Sequence, residues 1–170
     1  MNGDQLGLLA KACPRLSIPP DYSAGVGWHR RGPAALASAT GRTLAALGRP
    51  GWSDDLSYVM TTADMRRACE GLGYEVVERP SVWPGFGLAL ILWDGPWALP
   101  AAMHWIAVNT VDQLGGGEVY ETHAPDRVLF MNYWRGGLAG ELARAFDPQA
   151  TGGWTLRTGL ELVRRSETGL

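Results

Sequence analysis

Few side chains in this sequence could carry chemistry. There are two cysteines, Cys13 and Cys69, and three histidines, His29, His104 and His123. Neither cysteine stands in a CxxC pair or in a Cys/His cluster with metal-ligand spacing, so no zinc site is expected. Two cysteines allow at most one bridge, and a pair of reduced thiols is the plainer expectation. Cys69 shares an apolar helical face with Met65, Ala68 and Leu72, which suits a buried structural thiol rather than a nucleophile. His104 stands inside the apolar run Met103-His104-Trp105-Ile106-Ala107-Val108. Arg31 stands just ahead of Gly32-Pro33, where a helical pattern opens. The helix dipole opposes a guanidinium there by roughly a few tenths of a kcal/mol, so Arg31 calls for a partner such as Asp126, Glu121 or an acidic ligand. Two readings of Arg31 follow. In one it binds an anionic or carboxylate group. In the other it merely salt-bridges to the sheet.

The elements that must position these groups are legible from periodicity. Residues 1–12 suit a short helix, after which Pro14, Pro19 and Pro20 impose extended or turning chain. From Pro33, which suits a first helical position, alanine and leucine recur at helical spacing to Leu47. Gly41 weakens the middle, and Gly48-Arg49-Pro50-Gly51 stops the helix. The many alanines predict close packing against a neighbour. A second helix is expected from about Thr62, as N-cap, to Gly71, with Asp64 in its first turn. Strands are expected at 74–78, 87–93, 103–108 and 118–122, a glycine break at 115–117, a helix at 138–146 after Gly136-Gly137, and a last strand or two within 154–164. Helices first and antiparallel strands afterwards predict an α+β fold.

These stretches, taken in order, resemble the double-glycine branch of the papain-like cysteine peptidases. There an Asp-Cys-Gly-Pro-Ala-Ala-Leu type of motif opens the first core helix, and this chain has Arg30-Arg31-Gly32-Pro33-Ala34-Ala35-Leu36. A helix, a Gly-Tyr and a strand match residues 62–77. A His-Phe/Trp-Val-Val-Val strand matches His104 to Val108. A glycine turn and a Val-Tyr strand match Val119-Tyr120-Glu121-Thr122-His123-Ala124-Pro125. The resemblance runs over about residues 20–135. It implies a papain-like fold with N-terminal helices packed on an antiparallel sheet, as a single domain over 1–170 with a possible arm at 1–20.

The resemblance also implies a site, and the chemical positions depart from it. The family's cysteine, whose thiolate a helix N-terminus and a histidine stabilise, aligns with Arg31. Guanidinium is not a nucleophile. The family's oxyanion glutamine is missing near Ser23-Ala24-Gly25-Val26. The residue that orients the histidine aligns with His123, with Asp126 three positions on. Only His104 keeps its place. Loss of the nucleophile of a triad costs several orders of magnitude in rate, so thiol peptidase chemistry is not expected. The remnant site is Arg31, His104, His123 and Asp126, with Cys13 as the one thiol that could fold back to rescue it.

The expected function is therefore an inactive peptidase-like module that binds a peptide or protein partner, without a cofactor. Trp28, His29, Arg30, Arg31 and Trp105 are the expected binding residues. The alternatives are a structural or assembly protein, for example of a phage particle, and an active thiol hydrolase using Cys13 with His104. Eight tryptophans, several in loop contexts such as Trp83-Pro84-Gly85-Phe86, read either as exposed contact anchors or as caps on the sheet. With 46% hydrophobic and 19% charged residues the chain reads as globular. A net charge of −2 provides no field for a nucleic-acid partner, apart from a small basic patch at His29-Arg30-Arg31. Asp4 in place of a basic start, and an apolar stretch broken by Gly7 and Lys11, do not suit a secretion signal. The longest apolar run, 85–93, is too short to cross a bilayer. A cytoplasmic or virion-associated protein is expected, with no membrane partner.

Overall fold

The computed structural model describes residues 14–23, 31–47, 59–97, 99, 101–111 and 114–166. Helix α1 spans Arg31–Thr40 and α2 spans Leu44–Leu47. Gly41, at φ 69°, ends α1 in the left-handed region that a side chain would disfavour, so one expected helix becomes two. Pro33 sits in the first turn of α1, where its missing N–H costs nothing. Every residue of α1 after Arg31 is buried, which is what its alanines permit. Helix α3 spans Thr62–Gly71. Its N-cap is Thr61, one residue earlier than expected, because Thr61 and Asp64 form a reciprocal capping box.

The sheet has six strands: β1 Tyr74–Pro80, β2 Phe86–Trp93, β3 Met103–Asn109, β4 Glu118–Tyr120, β5 Leu129–Phe130 and β6 Trp154–Arg164. All pairings are antiparallel, in the order β1-β6-β2-β3-β4-β5. The late segment 154–164 is one strand rather than two. It looks broken in sequence because its register against β2 shifts: Leu90 faces Thr158 while Ile91 faces Leu156. The extra residue is a bulge that interrupts the alternation. The expected glycine break is a short 3-10 turn, Leu114–Gly116.

Strand alternation sends side chains to two cores. One holds α1, α2 and α3 against Leu88, Leu90, Trp105, Ala107, Tyr120 and Leu160. The other lies on the opposite face, around Ile91, Ile106, Val108 and Val119. It is covered by α4 (Met131–Tyr133), a π-helical segment Trp134–Leu138, and α5 (Ala139–Phe146). Gly137, at φ 140°, sits within the π segment in a conformation that only glycine adopts readily. The architecture is α+β, with the early helices packed on one face of an antiparallel sheet, as expected, and a further helical layer on the other. No helix among the described residues is long and apolar enough to cross a membrane.

Candidate functional site

The site begins with a buried carboxylate. Glu121 follows β4 directly and its side chain is fully enclosed. Its Oε1 accepts from His104 Nε2 at 2.5 Å and from the His123 backbone N–H at 3.1 Å, and its Oε2 accepts from Trp134 Nε1 at 2.9 Å. Three donors from three parts of the chain thus converge on one group. Burial pushes the Glu121 carboxyl up, but the facing His104 and its hydrogen bond, with His123 behind them, outweigh it and hold the group below the ordinary carboxylate range. The bond to Glu121 places the His104 proton on Nε2 and leaves Nδ1 without a partner.

Aromatic rings extend from this pair towards the surface. His123 stacks on His104 with centroids 4.6 Å apart, and Phe146 stacks on His123 at 4.9 Å. Arg31 completes the column, its guanidinium 4.0 Å above the Phe146 ring. Arg31 also hydrogen-bonds Tyr22, whose hydroxyl donates to the Thr122 carbonyl. Burial lowers the affinity of Arg31 for its proton, opposed by Tyr22 and by the charge of Glu121.

A cavity of about 200 Å³ opens beside this column, where β2 ends and β3 begins. Arg31, Trp93, Trp97, Trp105, His123 and Phe146 are among its lining residues. Asp147 lines it too, with one oxygen accepting from Trp97 Nε1 and the other from the Gln149 N–H.

Several expected site residues are brought together and others are not. Arg31, His104 and His123 belong to one column. Arg31 and His104 do not meet directly across a cleft, because His104 shares its sheet face with Ile106 and Val108, opposite the face on which α1 packs. Phe146 and His123 stand between them in the chain of contacts. Asp126 is exposed on the surface, and the acid beside His104 is Glu121. Trp105 lines the cavity while its Nε1 donates to the Met60 carbonyl. Cys13, Trp28, His29 and Arg30 lie outside the described residues. Cys69 is buried, and burial pushes its thiol up to about 12, so it is held as an inert thiol. Of the tryptophans read either as exposed anchors or as caps on the sheet, Trp93, Trp105 and Trp134 are buried and Trp83 and Trp97 are half-buried, as is Trp154. Trp83, Trp134 and Trp154 pack edge-on and tilted against one another, Trp134 being the first residue of the π segment. Trp93, Trp134, Tyr22 and Phe146 are site residues that the sequence does not single out as such, and Glu121 is singled out there only as a partner for Arg31, not for His104. For Glu121 a signal is present: it stands two residues after Val119 of β4, which places it on the same face.

His104, Glu121 and His123 offer ligand atoms that all lie within 4.8 Å of one another. The two imidazoles are stacked, so their in-plane lone pairs run side by side instead of converging, and both Glu121 oxygens already accept hydrogen bonds. A metal would have to take His104 away from Glu121. The arrangement is that of a hydrogen-bonded cluster.

His123 makes the fold acid-sensitive. Burial, with repulsion from His104 and Arg31, lowers its affinity for a proton to a pKa of about 3, against the ordinary 6.5. The unfolded chain takes this proton near pH 6.5 and the folded chain does not until about pH 3. Stability is therefore present above pH 6.5 and falls through that window, by about 1 kcal/mol per pH unit. Glu121 adds a loss of the same sign below its ordinary 4.5. We expect the melting temperature to drop by several degrees between pH 7 and pH 5, and the His123→Gln variant to show a flatter profile. A wild-type melting temperature that holds or rises on acidification would contradict this.

No protein-family model matches the sequence, and no curated protein does. In class the chain is an α+β domain with an acid–histidine cluster beside an aromatic cavity. Among solved structures it is similar to the peptidase domain of Streptococcus ComA, a bi-functional ABC transporter involved in a quorum-sensing pathway. That match has a TM-score of 0.43 and 13% identity, and covers 90% of this chain and 100% of that one.

Proposed function

We propose that this is a papain-like, double-glycine-peptidase-like domain that lacks thiol chemistry and binds a peptide or protein segment at the cavity beside Arg31. One observation carries the reading. The position that holds the nucleophile in the resembled family, at the start of α1, holds an arginine, and its guanidinium is packed on Phe146 at the rim of that cavity. His104, the one position kept from that family, then has no thiol from α1 to activate, and its partner Glu121 serves to fix the loop that carries His123. Incubation with a defined peptide library should yield bound, intact peptides by mass spectrometry, with no change on adding iodoacetamide. Cleavage that iodoacetamide abolishes would sink the proposal.

A second reading, a component of a larger assembly, is favoured by a different feature. Phe130 on the edge strand β5 is 53% exposed, and Tyr133 and Leu114 are more exposed still. Apolar side chains at a sheet edge suit a partner chain.

A further inference from the structure

Resting on the binding reading above, we infer that the cavity beside Arg31 takes a free carboxylate carried on a single apolar or aromatic side chain, such as the C-terminal residue of a peptide. Three polar groups on the mostly apolar wall of the cavity are the basis. Arg31 reaches the cavity with its guanidinium over Phe146, and no carboxylate of the described residues forms an ion pair with it. Trp93 is 8% exposed and its indole N–H has no hydrogen-bond partner. The His123 side chain is 6% exposed, and neither ring nitrogen has a hydrogen-bond partner. Both rings line the cavity.

Buried polar atoms without partners are uncommon and costly, at about 1–3 kcal/mol each. A guanidinium, an indole N–H and an imidazole can offer N–H donors to the same acceptor. A carboxylate has two oxygens and about four lone pairs to receive them, and it neutralises Arg31. The carboxylate already there, Asp147, is occupied on both oxygens by Trp97 and Gln149, so it does not fill this role. Size limits the rest of the ligand. An apolar cavity of about 150 Å³ admits a benzene ring, so about 200 Å³ holds one ring or branched side chain and its carboxylate. Trp97, Trp105 and Phe146 supply the apolar surface for it.

N-acetyl-L-phenylalanine and its primary amide separate the possibilities, since they differ only in the carboxylate. Binding to the full chain is read by calorimetry and by the indole N–H resonances in proton–nitrogen NMR spectra. The acid should bind at least tenfold more tightly than the amide, with the Trp93 resonance shifting on acid binding. Arg31→Gln should remove that preference, and Trp93→Phe, which keeps an aromatic ring and deletes the N–H, should weaken the acid several-fold while affecting the amide less. The comparison of the two probes on the wild-type chain stands even if a variant fails to fold. Equal binding of acid and amide overturns the carboxylate inference while leaving a non-hydrolytic binding module intact. Binding of neither probe at millimolar concentration overturns the inference as well.

Discussion

Replacing Glu121 with alanine should cost about 3–5 kcal/mol, enough to bring a domain at the low end of ordinary stability, about 5 kcal/mol, to the edge of unfolding. The side chain is fully enclosed and receives three N–H donors, from His104, His123 and Trp134. Removing it leaves all three buried with nothing to accept them, and each unsatisfied donor costs about 1–3 kcal/mol. Glu121→Gln keeps the volume and one acceptor oxygen, so it should cost clearly less. The remaining loss reports the charge and the donor that the amide turns towards His104. Trp134→Phe removes a single donor and should fall near the cost of one hydrogen bond. Urea denaturation of the three variants measures the order directly. If Glu121→Ala costs under about 1 kcal/mol, Glu121 is not the organising group of the cluster and the hydrogen-bond description is wrong.

Truncation of Trp105 to alanine should be of similar size, about 3–5 kcal/mol, for a different reason. The indole is 1% exposed and belongs to the core between the sheet and α1. Its loss leaves a void beside a cavity that already exists, so the wall can collapse only in part. Trp105→Phe should cost less, about 1–2 kcal/mol, because the ring volume is mostly kept while the buried Met60 carbonyl loses its donor at 2.8 Å. The two variants also differ at the cavity. The phenylalanine leaves the apolar lining nearly intact, whereas the alanine enlarges it and should weaken capture of N-acetyl-L-phenylalanine. Calorimetric unfolding and the same titration, run on both, separate the packing effect from the ligand effect. Equal stability of wild type and Trp105→Ala would mean that the indole is not held as described.

Hydrophobic periodicity alone locates most of the regular elements. The alternating and apolar runs lie on β1 to β4, and the alanine-rich helix is buried all round, as its composition requires. Boundaries shift where a local device decides them, as with the capping box at Thr61 and the bulge that disguises β6 as two pieces. The site is less legible. Motif order places the orienting residue at 123, whereas the carboxylate bonded to His104 is Glu121, two positions earlier, just past the end of β4. Arg31 is identifiable as the residue at the helix start, yet nothing local to it says that Phe146, far along the chain, comes to lie beneath it. The tryptophans stay undecided in sequence for a related reason: composition counts aromatic rings, and only the tertiary packing says which of them meet one another.

The place of β6 also bears on how the chain is made. Tyr74 of β1 pairs with Arg164, and Gly87 of β2 pairs with Glu161, so the strand that joins the two is translated long after both. Until it emerges from the ribosome, β1 has no neighbour on either side and β2 presents an open edge built from Leu88, Ala89, Leu90 and Ile91. Such an edge is a template for pairing with another chain, and closing it requires contacts of long sequence separation. The nascent protein thus passes through a stage in which its most apolar strand is half-paired, and chaperone capture or self-association competes with completion of the sheet.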